Sequence, residues 1–339
     1  MATVPGLNVL ALGYLIGMMG RVASQGRFGA ALHLAPFTAR LAGMLLLGAA
    51  FAFPLRYLVE LARDAALLAP WSYKAWLWSA TAAAAFALVC AHLLLAVARG
   101  GAWWTFFRPW SNLRWMRQQV GAGGYLSRTD QTLRALFAAL EPWRHFRLGL
   151  LGFAGVYAWL LLPALVFDRA PDLINRARAA TLLLGGGALV LLLSWMPFLL
   201  THVAVEGRWR AWLEIKTVWQ RFRRSPLCWA LAAILLYAVS IPTLLYEALF
   251  KNNLPRHDAR WDVMIVFMLT VVPFKVLVAR AWHRAGQRRE AWRSWQWFNR
   301  LLLTAALGGY VYFIHLARTA GQLGQAALWQ FHALLLPFS

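Results

Sequence analysis

The sequence predicts an all-α fold, a polytopic integral membrane helix bundle of about seven transmembrane helices with amphipathic interfacial helices. Hydrophobic residues make up 61% of the 339-residue chain, and only 14% of its residues are charged, against roughly 25% in a typical soluble domain. Apolar segments long enough to cross a bilayer recur along the chain. The segments between them carry most of the formal net charge of +22, so a disordered tail and a soluble nucleic-acid binder are both excluded.

The first predicted element is a short apolar helix within the N-terminal segment 1–36. Its apolar run, 7–19, is shorter than the about 20 residues that a span requires. Gly13 and Gly17 form a G-x-x-x-G pattern, which is weak evidence for helix pairing. We therefore predict an interfacial or partly inserted helix here, followed by a transmembrane bundle over 37–339.

Seven later segments are apolar enough to be spans. We place them near 38–60, 76–98, 147–167, 179–203, 226–248, 261–281 and 299–318. Prolines fall within or near the ends of five of them, where neighbouring helices can satisfy the freed carbonyl groups; these are Pro54, Pro163, Pro197, Pro242 and Pro273. Ser225 and Pro226 begin the fifth span as an N-cap and a proline at the first helical position.

The distribution of loop charge predicts the orientation of the bundle. The segments 1–40, 99–147, 204–225 and 280–300 carry 23 Lys and Arg residues, and the loops that alternate with them carry 10. Positively charged loops remain in the cytoplasm. We therefore predict a multi-pass protein with a cytoplasmic N-terminus and a C-terminus outside.

The predicted cytoplasmic segments 99–147, 204–225 and 280–300 are also rich in tryptophan, of which the chain has 20. Aromatic rings favour the headgroup level of a membrane, and guanidinium groups snorkel beside them, so these segments resemble helices that lie on the membrane. The arginines that are candidates for contact with a lipid or another anion are Arg108, Arg114, Arg117, Arg221, Arg223, Arg224, Arg288 and Arg289. The same pattern also serves topology and anchoring without any specific ligand.

Few other residues are candidates for a site. Lys275 is a polar residue inside a predicted span, where its ammonium group either snorkels to the cytoplasmic surface or faces a cavity. His92 and His202 are residue types that bind haem, although packing is the more common role of such histidines. Cys90 and Cys228 lie in apolar runs and lack metal-binding spacing. We predict no catalytic residue, no metal site and no cofactor.

Several short stretches across the whole chain share the pattern of one family. They are residues 12–15, 20–27, 34–36, 123–125, 151–155, 222–226, 273–275, 280–282 and 332–338. Together they resemble an uncharacterised family of polytopic bacterial membrane proteins, found chiefly in planctomycete-type genomes and catalogued as a domain of unknown function. The resemblance implies several helices in a bacterial cytoplasmic (inner) membrane. It implies no activity, cofactor or catalytic residue.

Three functions are compatible with these patterns. The basic aromatic segments and the lack of a catalytic motif favour a non-enzymatic scaffold or binding protein at the cytoplasmic leaflet. A transporter or channel for a small or anionic solute is the alternative, and a lipid-acting membrane enzyme is the third. The expected partners are membrane lipids, including anionic lipids, and not nucleic acid. Membrane-protein partners or a homo-oligomer remain open.

Overall fold

A computed structural model describes residues 5–32, 35–169, 175–250, 259–318 and 333–335. The regular elements of this part are all helical, and no β-strand occurs among the described residues. Its α-helices are α1 (Pro5–Gln25), α2 (Ala35–Leu68), α3 (Tyr73–Ala98), α4 (Pro109–Gly121), α5 (Tyr125–Leu140), α6 (Pro142–Arg169), α7 (Asn175–Glu206), α8 (Ile215–Arg224), α9 (Pro226–Phe250), α10 (Ala259–Gln287) and α11 (Arg293–Arg318). Short 3₁₀ helices cover Phe28–Leu32, Trp103–Phe107 and Trp209–Leu213.

Each of the seven predicted apolar segments lies within one long helix, namely α2, α3, α6, α7, α9, α10 or α11. Four segments of the described chain are long and apolar enough to cross a membrane, and they are Tyr73–Ala98, Phe137–Arg169, Arg176–Glu206 and Arg293–Ala317. The bent pair of α8 and α9 makes a fifth if it counts as one span. The all-α bundle with several potential spans is thus confirmed, and the number seven stays a prediction.

The chain divides into two compact units. The first unit comprises Met1–Leu32 and Pro142–Ser339, and the second comprises His33–Glu141. Helix α1 belongs to the same unit as the helices from Pro142 onward, and the sequence-based division at residue 36 stays a prediction. The depth of α1 relative to a membrane stays a prediction.

Helix α1 contributes a core face to the first unit. It packs on α6, α7 and α10. Leu12, Ile16 and Met19 recur every three or four residues along it and are fully buried. This spacing places the three side chains on one stripe of the helix. The apolar run that is too short for a predicted span is therefore a packed element of the protein.

Glycines set the distance between α1 and α6. A Cβ atom on Gly13 would overlap the carbonyl oxygen of His145, and one on Gly149 would overlap the carbonyl oxygen of Val9. The two backbones therefore approach each other as closely as small residues allow. The G-x-x-x-G pattern forms part of this contact, since Gly17 faces the His145 ring.

The first unit satisfies a backbone carbonyl that a proline leaves free. Pro197 lies inside α7 and has no N–H for the carbonyl of Leu193, four residues earlier. The hydroxyl of Tyr237 on α9 donates to that oxygen at 2.8 Å. The prediction that a neighbouring helix would satisfy such a group is confirmed at this position.

The second unit is built around the pair α2 and α3, which pack against each other. Ser72 caps α3 by accepting a hydrogen bond from the backbone N–H of Ala75. Much of the pair's apolar surface is exposed, including Leu46, Phe53, Tyr57, Trp76, Phe86, Leu88 and Leu94. Exposed apolar area of this extent is typical of a surface that contacts a membrane or a partner.

Candidate functional site

The amphipathic helix α8 organises the basic surface of the first unit. It begins at Ile215 and ends at Arg224, and α9 follows at an angle of 109°. Val218 and Phe222 form its buried face. The basic side chains of α8 are only partly buried or exposed. The helix is amphipathic, as the sequence predicts, but its apolar face packs on the core of the first unit, and its position at a membrane surface stays a prediction.

Two of the predicted anion-binding arginines of α8 bind the protein itself. Arg221 donates from Nη1 to the carbonyl oxygen of Trp282 at 3.2 Å and lies 4.9 Å from the centre of that ring. Arg223 forms an ion pair with Glu290 at 2.6 Å, and its carbonyl oxygen accepts from the N–H of Ala291. These contacts hold α8 against α10 and against the segment before α11.

A pocket lies between α7, α8, α9 and α11. Its volume is about 340 Å³. Its lining residues include the aromatic side chains Trp195, Trp219, Phe222, Trp229 and Trp297, the leucines Leu191, Leu301 and Leu303, and the polar residues Ser194, Arg300 and Thr304. The ring of Trp195 on α7 lies within 6.4 Å of the rings of Trp219 and Phe222 on α8 and of Trp229 on α9.

Arg300 is the cationic residue of this pocket. Its guanidinium carbon lies 3.6 Å from the centre of the Trp219 ring, 4.8 Å from that of Trp297 and 5.6 Å from that of Phe222. Such distances favour cation–π attraction, which is strongest at tryptophan. The rings therefore fix the orientation of the guanidinium group.

One hydrogen-bond donor of Arg300 has no partner among the described residues. Its Nε atom is buried and has no acceptor in the described part of the chain. Within that part, no carboxylate stands at ion-pair distance from it either. A buried guanidinium N–H without an acceptor is costly. The pocket therefore presents an oriented cation that no carboxylate of the described chain neutralises.

A polar network next to the basic helix joins the end of α7 to the start of α8. The buried ring of His202 is 2.7 Å from Glu214, measured from Nε2 to Oε2. Arg208 is 2.7 Å from the other oxygen of that carboxylate. The hydrogen bond with His202, followed by the charge of Arg208, lowers the pKa of Glu214. An ionised Glu214 thus stabilises the connection.

Lys275 does not snorkel. Its side chain is buried, and Nζ donates to the carbonyl oxygen of Leu334 at 2.5 Å. The ammonium group also lies 5.9 Å from the centre of the Phe267 ring. Leu334 belongs to the short buried turn 333–335. The structure therefore assigns Lys275 an internal contact with the C-terminal part of the chain.

The second unit exposes aromatic side chains in segment 103–110, and polar contacts hold the backbone of this segment. Trp103, Trp104, Phe107 and Trp110 are exposed, and Phe106 beside them is buried. Exposed tryptophan side chains of this kind are typical of the aromatic belts that membrane proteins have at the membrane–water interfaces.

Hydrogen bonds with residues at the C-terminal end of α3 fix the backbone of this segment. His92 lies 2.7 Å from the carbonyl oxygen of Phe106. The buried Asn112 accepts from Arg99 at 3.1 Å and donates to the carbonyl oxygen of Thr105 at 2.7 Å. The polar side chains therefore hold the backbone, which leaves the exposed rings free to contact other molecules.

The predicted contact arginines are divided between the units. Arg108, Arg114 and Arg117 are exposed in the second unit. Arg288 and Arg289 are exposed in the first unit, where Arg224 is partly buried.

Arg300 is not among the site residues that the sequence predicts. Its signal was present, since Arg300 follows Trp297 at the three-residue spacing that places two side chains on one helix face. Trp212 lies in segment 204–225, where the sequence predicts rings at a membrane surface, but it does not take that position. It is buried, donates from Nε1 to the carbonyl oxygen of Leu151 and fills the space beside Gly155.

No group of three or more metal-ligating side chains occurs among the described residues, and Cys90 and Cys228 are free thiols. The histidines considered for haem have other partners, since His92 contacts Phe106 and His202 contacts Glu214. Compared with protein-family models, curated proteins and solved structures, the chain has no match.

Proposed function

We propose that this chain is a non-enzymatic integral membrane protein that binds anionic lipid at the leaflet in contact with its basic, tryptophan-rich segments. The observation that carries the proposal is the arrangement of α8. Val218 and Phe222 form its buried face, its basic side chains are partly buried or exposed, and Trp219 and Phe222 line the pocket that contains Arg300. Basic residues gain roughly 1 kcal/mol each near an anionic leaflet.

The second unit supports the same proposal independently. Arg108, Arg114 and Arg117 are exposed next to the exposed rings of the 103–110 segment. Rings that enter the headgroup region and arginines that remain in contact with phosphate groups form the usual pattern of interfacial binding.

We also propose a seven-span topology in a bacterial inner membrane, with α2, α3, α6, α7, α9, α10 and α11 as the spans. The charge asymmetry between alternate loops supports a cytoplasmic N-terminus and an outer C-terminus. The test is a reporter active only in the cytoplasm, fused after residue 339. Activity of that fusion would contradict the topology, and activity of a fusion within 204–208 is the expected positive control.

Tryptophan fluorescence tests the lipid preference. The full chain is reconstituted in phosphatidylcholine vesicles that contain an equal fraction of brominated phosphatidylglycerol or brominated phosphatidylcholine. We expect the brominated anionic lipid to quench more strongly, because basic residues near the rings enrich it there. High salt should reduce the difference in quenching between the two brominated lipids, since exposed charges are screened. Equal quenching by both lipids at low salt would contradict the proposal.

Matched variants locate the effect. Arg288→Gln with Arg289→Gln removes two exposed charges from a predicted cytoplasmic segment. Arg63→Gln with Arg178→Gln removes two exposed charges from the loops of the predicted opposite side. We expect only the first pair to reduce the difference between the two brominated lipids. An equal reduction by both pairs would mean that net charge alone causes the preference.

A further inference from the structure

The orientation of Arg300 is determined before any ligand binds. Three rings surround its guanidinium group, and the closest of them, Trp219, lies on α8. Arg300 lies on α11, so the contact joins two helices. A side chain held in this way loses little conformational entropy on binding, which favours affinity.

The guanidinium group of Arg300 has no counter-ion in the described part of the chain. Nε is buried without a partner in the described part of the chain, and no carboxylate there pairs with the guanidinium group. Phosphate and carboxylate oxygens are the acceptors that an arginine fork fits best. An anionic oxygen in the pocket would therefore pair with the accessible end of a guanidinium group that no carboxylate of the described chain neutralises.

The walls of the pocket determine the rest of the ligand. Apart from Arg300, Ser194 and Thr304, the lining consists of aromatic and aliphatic side chains. A volume of about 340 Å³ is at the small end of ligand pockets, which span roughly 300 to 1,000 Å³. It accommodates a headgroup and the first part of a chain, and a whole two-chain lipid exceeds it.

The mouth of the pocket provides the exit for that chain. Leu191 of α7 and Leu301 of α11 line the pocket and are largely exposed, at 63% and 66% of their surface. Both belong to helical segments that are long and apolar enough to cross a membrane. A hydrocarbon chain leaving the pocket would therefore continue along an apolar surface.

We propose that this pocket binds one anionic membrane lipid, with its phosphate group on Arg300, its headgroup and first methylene groups between the rings, and its chains against Leu191 and Leu301. The assignment rests on the proposed function and adds a specific, saturable site to a general preference of the leaflet. A soluble anion lacks the chain that the apolar walls require.

Native mass spectrometry of the full chain in mild detergent tests the assignment. Short-chain phosphatidylglycerol or phosphatidylcholine is added in increasing amounts, and the number of bound lipids is counted. We expect a first phosphatidylglycerol to bind more tightly than any phosphatidylcholine. Glycerol phosphate, which has the same anionic group without chains, should not displace it. Displacement by glycerol phosphate at comparable concentration would identify a soluble anion as the ligand and overturn the assignment.

Two variants probe the pocket, and one serves as control. Arg300→Gln should weaken the first phosphatidylglycerol site by about tenfold, the usual effect of losing a charge-assisted hydrogen bond. Arg293→Gln removes the same charge from an exposed position of α11 that does not line the pocket and should leave the site unchanged. Thr304→Trp keeps Arg300 and fills the pocket from its exposed edge, and should also weaken the site.

The outcomes distinguish the proposed lipid site in the pocket from the proposed general preference for anionic lipid. If brominated anionic lipid quenches preferentially but Arg300→Gln and Arg293→Gln bind the first lipid equally, the pocket assignment is wrong and the leaflet preference stands. If one lipid depends on Arg300 but bulk quenching shows no preference, the pocket stands and the leaflet function is wrong. Wild-type lipid affinity in Thr304→Trp, with an unchanged elution profile, would also overturn the assignment.

Discussion

The two units differ in where their apolar side chains lie. In the first unit, half of the apolar window of Arg176–Glu206 is buried within the protein, at 50%. In the second unit, the corresponding share of Tyr73–Ala98 is 11%, although this helix is the more hydrophobic of the two. Mean hydropathy is 2.2 for the exposed helix and 2.0 for the buried one.

Hydropathy therefore does not determine which helices pack together. In a membrane, lipid is as apolar as a leucine side chain, so helices associate through close packing and polar contacts. The first unit has both, in the glycines between α1 and α6 and in the bond from Tyr237 to Leu193. The second unit concentrates its polar contacts at one end of α3, around Asn112.

Removing a buried ring should show the largest contrast between the units. Phe198 is fully buried and stacks on Trp229, with ring centres 3.4 Å apart. We expect Phe198→Ala to lower the free energy of unfolding by about 4 kcal/mol through the cavity that it leaves. Phe86→Ala, at an exposed position of α3, should change it by less than about 0.5 kcal/mol. Chemical denaturation in mild detergent, followed by circular dichroism, measures both, and equal losses would contradict the comparison.

Adding a methyl group at a glycine should also change the free energy of unfolding by clearly different amounts in the two units. Gly13→Ala places a Cβ atom against the carbonyl oxygen of His145 and should cost about 3 kcal/mol, because the backbones must move apart. Gly48→Ala in α2 meets nothing within 4 Å and should stabilise its helix by up to about 1 kcal/mol. The same denaturation experiment applies. A stabilising Gly13→Ala would show that α1 does not pack closely on α6.

The helices could be predicted from the sequence because their signals are local. Seven apolar segments, the helix start at Pro226 and the amphipathic pattern of α8 all depend on neighbours within one helix. The predicted cap is wrong in one respect, since the buried hydroxyl of Ser225 has no hydrogen-bond partner among the described residues. Long-range contacts left no such signal. The partner of Trp212 is Leu151, and the partner of Lys275 is Leu334, each about 60 positions away along the chain.

The candidate site was predictable only in part, for the same reason. The basic and aromatic composition of 204–225 and 280–300 identified segments that contribute to the candidate site. It did not indicate which arginine would be available, because Arg223 pairs with Glu290 and Arg300 lies among rings of another helix. Composition identifies the surface, and packing between helices selects the residue.

The buried Asn112 should contribute more to the free energy of unfolding of the second unit than its exposed aromatic rings do. Asn112→Leu removes the donor to the carbonyl oxygen of Thr105 and the acceptor for Arg99. We expect a loss of about 2 kcal/mol, because two side-chain hydrogen bonds of a buried amide are lost and the carbonyl of Thr105 keeps only the 3.4 Å bond from the N–H of Arg108. Faster hydrogen exchange in 103–107 should accompany it, and Gln118→Leu on the exposed side of α4 is the control. Unchanged exchange in Asn112→Leu would mean that the rings are held by other contacts.

The smallest expected effect is the pH dependence that Glu214 gives to the first unit. Hydrogen bonding to His202 lowers the pKa of Glu214 in the folded protein, so its ionised form stabilises the fold. This contribution is present above the pKa of the unfolded chain and is lost as the pH falls through the lower, folded pKa. Glu214→Gln should therefore lose less stability than the wild type on acidification from about pH 6 to about pH 3.

Thermal unfolding at a series of pH values measures the difference. Asp130→Asn in the second unit removes a carboxylate that pairs with Arg134 at an exposed position, where an ion pair contributes little. Its acid dependence should match the wild type. If both variants change the profile equally, the network of Glu214 has no special role, and the contrast between the units does not extend to their charges.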